Sequence, residues 1–211
     1  MHSNIFTHPF LALDYLGVAV FALSGALAAA RLRHDVVTAA AFAILTGMGG
    51  GTLRDLLIGA PVFWVHAGGY LWTCLAAALG VWLVGERAWR GSALLWLDAI
   101  GLAAYAVVGA AKALNADVSA IAAVLMGVLT ATFGGILRDL FAGEPSVLLK
   151  REIYISAEIL AAAAYVGARE VGVDPTIAGV VAFALGFVLR AGAIQFGWTL
   201  PGFDSGERKG K

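Results

Sequence analysis

The sequence has little charge and a single cysteine. Only 13% of its 211 residues are charged, and a soluble domain of this size usually carries about twice that fraction. Apolar residues make up 61% of the chain and fall in long runs, so a soluble fold would have no polar face to meet water. Cys74 has no partner for an internal disulfide. We therefore expect an integral membrane protein.

The sequence also lacks a net charge and any signature of catalysis. No basic patch suggests a nucleic-acid partner, and the N-terminus has no basic region of a cleaved signal peptide. There is no metal-ligand spacing, no Ser-His-Asp arrangement, and no phosphate loop with its lysine and preceding strand. We expect no enzymatic activity, no metal and no cofactor.

Seven apolar segments have the length and composition of membrane spans, which must be helices because lipid cannot satisfy a bare backbone. They cover residues 10–30, 36–58, 66–85, 93–114, 118–141, 153–169 and 176–197, and a tail follows at 198–211. The predicted fold class is an all-α integral membrane protein with a single membrane domain over residues 1–211.

Lysine and arginine collect on one side of the predicted membrane. That side receives Arg31, Arg33, Arg87, Arg90, Lys150, Arg151, Arg208, Lys209 and Lys211. The other side receives only Lys112 and Arg169 near its span ends. The side rich in positive charge is expected to be cytoplasmic. The prediction is a multi-pass membrane protein with its N-terminus outside and its C-terminus in the cytoplasm.

The sequence repeats itself at a spacing of 84 positions. The stretch "GGGTLRDLLIGAP", which begins at Gly49, returns as "GGILRDLFAGEP", which begins at Gly134. Other residues that match at this spacing are Asp14 with Asp98, Gly17 with Gly101, Thr46 with Thr130, and Tyr70 with Tyr154. Each repeat holds three spans, residues 10–85 and 93–169, so the second copy enters the membrane in the opposite direction. The sequence predicts an inverted repeat, with the span at 176–197 as an addition.

Both repeats place a glycine cluster inside their second span. The clusters consist of Gly49, Gly50 and Gly51, and of Gly134 and Gly135. Two interpretations are open: the glycines kink the helix and free carbonyls that line a hydrated path, or they let two helices pack closely. Thr46 and Thr130 precede the clusters by one turn. Their hydroxyls could coordinate a partly dehydrated cation, although threonine in a membrane helix more often bonds its own backbone.

An Arg-Asp pair follows each glycine cluster. Adjacent residues on a helix point about 100° apart, so we predict crosswise ion pairs, Arg54 with Asp139 and Arg138 with Asp55. These pairs either lock the two spans together or place at least one charge on a permeation path.

Three further acidic residues lie within the apolar spans. We expect Asp14 and Asp98, at the starts of spans 1 and 4, to act as helix caps or to complement the helix dipole. Glu158, in the sixth span, is a candidate intramembrane acid near the predicted cytoplasmic end.

The repeated motif, the arrangement of three, three and one spans, and the chain length resemble the prokaryotic relatives of the trimeric intracellular cation (TRIC) channels. The same bacterial family is also described as small inner-membrane proteins with a proposed role in glycine transport. The resemblance covers residues 10 to about 197. It implies a homotrimer in the lipid bilayer, with one pore per protomer between the two repeats, through which the monovalent cations potassium and sodium pass.

By position, the family's two motifs fall on the glycines and Arg-Asp pairs named above. Phe133 stands where a third glycine would complete the second cluster, and it could narrow the pore or act as a hydrophobic gate. Lys150 and Arg151 are candidate contacts with lipid headgroups. The alternative function is a secondary transporter for glycine or another small neutral solute, and a purely structural bundle is a third possibility.

Overall fold

The computed structural model describes residues 8–85, 89, 92–146 and 153–200, so Lys150 and Arg151 lie outside the described residues. The described chain forms seven α-helices, in agreement with the predicted fold class. They are α1 (His8–Arg31), α2 (Val36–Leu57), α3 (Gly69–Val84), α4 (Ala93–Asn115), α5 (Ala120–Ala142), α6 (Ile155–Glu170) and α7 (Pro175–Phe196). Five of them are long and apolar enough to cross a membrane. The third helix of each repeat, α3 and α6, has only 16 residues.

Local sequence sets the ends of these helices. Asp35 caps α2 by accepting a hydrogen bond of 2.8 Å from the Thr38 N–H, which lowers the pKa of the Asp35 carboxyl. Asp174 caps α7 in the same way, and Pro175 occupies its first turn. Gly59 follows α2 and Gly143 follows α5, both at φ +68°, which a residue with a side chain rarely adopts.

The outer surface of the bundle is apolar. Large side chains such as Val37, Trp72, Leu83 and Ile121 are among the most exposed in the protein. Charged residues such as Arg54 and Arg138 are instead buried, each with 1% of its surface exposed. Soluble proteins usually bury apolar side chains and expose charged ones. The opposite arrangement seen here is the one that a surrounding bilayer requires.

The first helices of the two repeats, α1 and α4, pack against each other through equivalent residues. Phe21 of α1 and Tyr105 of α4 are 84 positions apart, and their ring centroids lie 5.3 Å from each other. Gly17 faces the Tyr105 ring and Gly101 faces the Phe21 ring, each so closely that a Cβ atom would collide with it. The aromatic pair therefore lies at the pseudo-two-fold axis of the inverted repeat.

The second helices, α2 and α5, cross in a similarly reciprocal way. A Cβ atom on Gly50 would overlap the Thr130 carbonyl oxygen, and one on Gly134 would overlap the Thr46 carbonyl oxygen. Both helices continue without interruption through their glycine clusters. Gly50 and Gly134 thus serve close backbone packing, and the helix break that would free carbonyls is not observed.

We expect Gly50→Ala and Gly134→Ala each to destabilise the protein, because the added methyl group must push α2 away from α5. Overpacking of this kind costs about 1–3 kcal/mol. Thermal unfolding of the purified protein in detergent measures the loss.

Gly80→Ala in α3 is the matched control, since nothing lies within 4 Å of a Cβ atom at that position. It should be neutral or should stabilise the helix by up to about 1 kcal/mol. Equal stability of all three variants would contradict the close-packing role.

Candidate functional site

Most of the buried charged residues of the two repeats form two clusters at opposite ends of the bundle. The first cluster contains Asp14, Arg54, Asp55, Tyr70 and Lys112. The second cluster contains Ser24, Asp98, Arg138 and Asp139. Each lies where the second helix of a repeat ends and its first helix begins, so the inverted repeat has placed one cluster near each membrane surface.

In the first cluster, two cations meet two carboxylates. Arg54 donates from both Nε (2.8 Å) and Nη2 (2.6 Å) to Oδ1 of Asp55. Asp14 Oδ2 accepts hydrogen bonds from the Tyr70 hydroxyl (2.9 Å) and from Lys112 Nζ (3.0 Å). The formal charges of these four ionisable groups cancel.

A ring and a turn complete the first cluster. The Phe63 backbone N–H donates to Asp55 Oδ2 (3.0 Å), which ties the turn after α2 to the ion pair. The Phe63 ring lies 4.7 Å from Lys112 Nζ and 5.9 Å from the Arg54 guanidinium carbon, so it contacts both cations.

In the second cluster, one cation meets two carboxylates. Arg138 donates from Nε (2.9 Å) and Nη2 (2.7 Å) to Asp139 Oδ1, and from Nη1 to Asp98 Oδ1 (2.5 Å). The Ser24 hydroxyl accepts from Arg138 Nη1 (2.6 Å) and donates to Asp98 (3.0 Å). The formal charges of Arg138, Asp98 and Asp139 sum to minus one, unlike those of the first cluster.

The predicted crosswise ion pairs are wrong. The reciprocal contacts Gly50 to Thr130 and Gly134 to Thr46 fix an antiparallel crossing. In that register Arg54 and Asp139 are roughly 20 Å apart along the helix axis, far beyond contact. The pairs form instead between adjacent residues, because the long arginine side chain folds back so that its planar fork reaches the next carboxylate.

The predicted capping role of Asp14 and Asp98 is also wrong. Both lie inside their helices, past the first turn, and both are buried. Their carboxylates bind Lys112 and Arg138 instead of a helix N-terminus. A buried carboxylate is stable only with such a partner, so these pairs hold the ends of α1 and α4 in the bundle.

The structure separates the other predicted site residues. The Thr130 hydroxyl donates to the Met126 carbonyl of its own helix (2.5 Å), as threonine in a membrane helix often does. The Thr46 hydroxyl is buried and has no hydrogen-bond partner within the described chain. Phe133 and Gly49 line an apolar groove on the outer side of α2 and α5, together with Leu137. The proposed role of Phe133 as a hydrophobic gate stays a prediction.

Gly51 and Gly135 face aromatic residues of the following turn and helix. A Cβ atom on Gly51 would lie 2.7 Å from the Phe63 ring, and one on Gly135 would lie 3.0 Å from the Tyr154 hydroxyl. Both glycines therefore make room for rings next to the arginines, and they do not expose backbone in a kink.

An aromatic layer lies between the two clusters. Asp98, Tyr105 and Lys112 follow one another at intervals of seven residues, so they share one face of α4 and Tyr105 is about 10 Å from each of the other two along the axis. The Tyr105 hydroxyl donates to the Gly47 carbonyl of α2 (2.8 Å), and its ring packs on Phe21, which is fully buried. Phe21 and Tyr105 thus pack in the interior between the two clusters.

The sequence analysis missed most partners of the Arg-Asp pairs. Lys112, Phe63, Ser24, Phe21 and Tyr105 were not predicted as site residues. The spacing of seven between Asp98, Tyr105 and Lys112 is a helical signal that could have linked the two ends of α4. Among the described residues, no group of His, Cys, Asp and Glu is arranged to hold a metal ion.

Comparison with known proteins finds one family model, described as "Glycine transporter", that matches the chain twice, at residues 11–86 and 95–170. The two matches are 84 residues apart, the spacing of the internal repeat. The chain is 38% identical over 197 residues to a UPF0126 membrane protein of Vibrio cholerae, covering 90% of this chain and 81% of that protein. It is 36% identical over 195 residues to the UPF0126 inner membrane protein YadS of Escherichia coli K12, covering 90% and 94%.

The chain is also similar to solved structures of TRIC channels. The TRIC trimeric intracellular cation channel orthologue from Rhodobacter sphaeroides is similar with a TM-score of 0.88 and 42% identity, over 91% of this chain and 100% of that one. A structure that addresses conductance through TRIC cation channels is similar with a TM-score of 0.83 and 31% identity, over 92% and 96%.

The unequal clusters lead to a prediction about stability. Arg138→Met should destabilise the protein more than Arg54→Met, because Arg138 donates to two buried carboxylates, Asp98 and Asp139, whereas Arg54 donates to one, Asp55. Removing one partner of a buried ion pair costs about 3–5 kcal/mol, and we expect Arg138→Met at the upper end of that range.

Unfolding temperatures in detergent compare the two variants. Adding Asp98→Asn to Arg138→Met should recover part of the loss, although Asp98→Asn alone should destabilise. Equal losses for the two arginines, or no recovery in the double variant, would count against the described charge balance.

Proposed function

Because the chain belongs to the bacterial membrane-protein family that includes the TRIC channel orthologue of Rhodobacter sphaeroides, we propose that it is a channel for monovalent cations. Each protomer carries its own conduction path, which runs between the two inverted repeats. Potassium and sodium are the permeant ions. The path enters at one charged cluster, passes between α1, α2, α4 and α5, and leaves at the other cluster.

One observation carries this proposal: two buried ion clusters occupy equivalent places in an inverted repeat, with the Phe21–Tyr105 layer between them. Burying a charge within a membrane is costly, and such residues usually face a hydrated path or a partner. A bundle built for structure alone would be more stable with apolar side chains at these positions, since buried ion pairs rarely improve stability. The clusters are better explained as the two mouths of a path.

The charge of the clusters favours cations. Each arginine donates to a neighbouring aspartate, which neutralises its repulsion of a passing cation. Among the described residues of the second cluster, Asp98, Arg138 and Asp139 have formal charges that sum to minus one, which favours positive ions. No narrow ring of carbonyl oxygens accompanies the clusters in the described residues, so potassium and sodium should be distinguished poorly.

The assembly and orientation belong to the same proposal. The protein acts as a homotrimer, supported by similarity to proteins described as trimeric channels. It lies in the bacterial inner membrane with its C-terminus in the cytoplasm, supported by the distribution of lysine and arginine and by the description of its Escherichia coli relative. The second cluster then faces the cytoplasm.

The description of the family model favours a second candidate, a secondary transporter for glycine or another small neutral solute. A substrate carboxylate would need a helix N-terminus near Thr52. The α2 helix is continuous there, and the Thr52 hydroxyl donates to the Met48 carbonyl and accepts from the Trp64 indole. The structure therefore offers no such N-terminus, and the channel remains the better proposal.

Planar-bilayer recording of the purified protein tests the proposal directly. A channel gives stepwise currents that grow linearly with driving force in potassium or sodium chloride, with reversal potentials that favour cations over chloride. A transporter gives glycine counterflow in liposomes that saturates with substrate concentration. Saturable counterflow without current steps would favour the transporter over the channel. The absence of both signals would favour a purely structural bundle.

We expect Tyr105→Phe to increase the open probability of the channel. The variant removes the hydrogen bond between the Tyr105 hydroxyl and the Gly47 carbonyl, which holds the aromatic layer closed. Such a bond contributes about 1 kcal/mol, so the open state should gain about fivefold in population. Single-channel recording at fixed voltage measures the change.

Tyr165→Phe is the matched control, since Tyr165 is equally buried on α6 and packs edge-on against Phe10. It should leave the open probability unchanged. If Tyr105→Phe leaves the open probability unchanged, or if both variants change it equally, the aromatic layer does not gate this path.

A further inference from the structure

Glu158 of α6 is a buried carboxyl group that neither charged cluster uses. Its side chain is 1% exposed, and neither carboxyl oxygen has a hydrogen-bond partner among the described residues. This is unlike Asp14, Asp55, Asp98 and Asp139, each of which accepts a hydrogen bond from a cation.

The surroundings of Glu158 are apolar and closed. The carboxyl group faces a cavity between α4, α6 and α7, and the other lining residues apart from Arg190 are apolar: Ala99, Leu102, Ala103, Ala157 and Gly186. The cavity has no room for a water molecule, so neither a hydrated cation nor bridging solvent fits beside the carboxyl group. A proton is small enough to neutralise it there.

The charged and titratable groups that interact with Glu158 are Asp98 on α4, Tyr154 before α6 and Arg190 on α7. On α5, Arg138 and Asp139 interact with Tyr154. Arg190 lines the same cavity, but its Nη1 donates to the Ile153 carbonyl (3.1 Å) and its guanidinium lies over the Tyr154 ring. It donates no hydrogen bond to Glu158.

The internal repeat supplies a comparison within the same chain. The position 84 residues before Glu158 holds Cys74, which is fully buried and packs against Gly47 as a small apolar side chain. The third helix of a repeat therefore packs without an acid at this position. The carboxyl group is an addition of the second repeat, next to the cluster that has excess negative charge.

We propose that Glu158 is a proton-binding site, and that α6 must separate from α4 and α7 before the proton can leave. An unpaired carboxylate in this cavity would be strongly unfavourable, whereas a neutral carboxylic acid is tolerated. The packing of α6 is therefore stable while Glu158 is protonated and weakens as the pH rises and the proton is lost. The site links the pH at the second cluster to the packing of the neighbouring helices.

Infrared spectroscopy of the purified protein tests the proton directly and does not depend on transport activity. The wild type at neutral pH should show the carbonyl band of a protonated carboxylic acid, and Glu158→Gln should lose that band. Glu170→Gln is the matched control, because Glu170 is exposed at the far end of the same helix, and it should keep the band. Glu158→Cys copies the residue of the first repeat and serves if Glu158→Gln fails to fold.

Hydrogen exchange of the α6 peptide, corrected for its intrinsic pH dependence, tests the link to packing. Protection in the wild type should fall as the pH rises, and Glu158→Gln should show no such change. A wild type without the infrared band, a band that survives in Glu158→Gln, or the same loss of protection in both proteins would overturn the proposal. None of these outcomes depends on whether the protein conducts ions.

Discussion

The close antiparallel crossing of α2 and α5 is the constraint on which the rest of the structure depends. Gly50 and Gly134 allow each helix to touch the backbone of the other, and this contact fixes their register. Once the register is fixed, the Arg-Asp motifs cannot meet, and each must find partners at its own end of the bundle. The starts of α1 and α4 lie at those ends, and their buried aspartates complete the two clusters.

The number of helices, their approximate bounds and the internal repeat could be read from the sequence because each rests on local composition or on spacing along the chain. The partners of Arg54 and Arg138 could not, because they depend on the depth at which two helices cross. The crosswise pairs failed for this reason: both motifs stand near the ends of their spans, and an inverted repeat sends equivalent ends to opposite membrane surfaces. Applying the inversion to the motifs themselves would have corrected the prediction.

The same limit explains the other differences. A glycine cluster in a membrane helix has the same sequence whether it bends the helix or admits a neighbour, and only the position of the Thr130 and Thr46 carbonyls decides. Lys112 comes from the far end of α4, and it reaches Asp14 because α1 and α4 pack along their length. Phe133 lies on the outer side of α5, which the repeat alone could not indicate.

The two halves of the molecule share a backbone plan but differ in chemistry. At the pseudo-two-fold axis, a tyrosine of one repeat meets a phenylalanine of the other, so a single hydroxyl anchors a contact that the symmetry would otherwise double. A fully symmetric duplicate would present the same barrier to an ion arriving from either side. With one anchored ring and two clusters of different composition, the two directions through the bundle are chemically unequal although the fold is nearly symmetric.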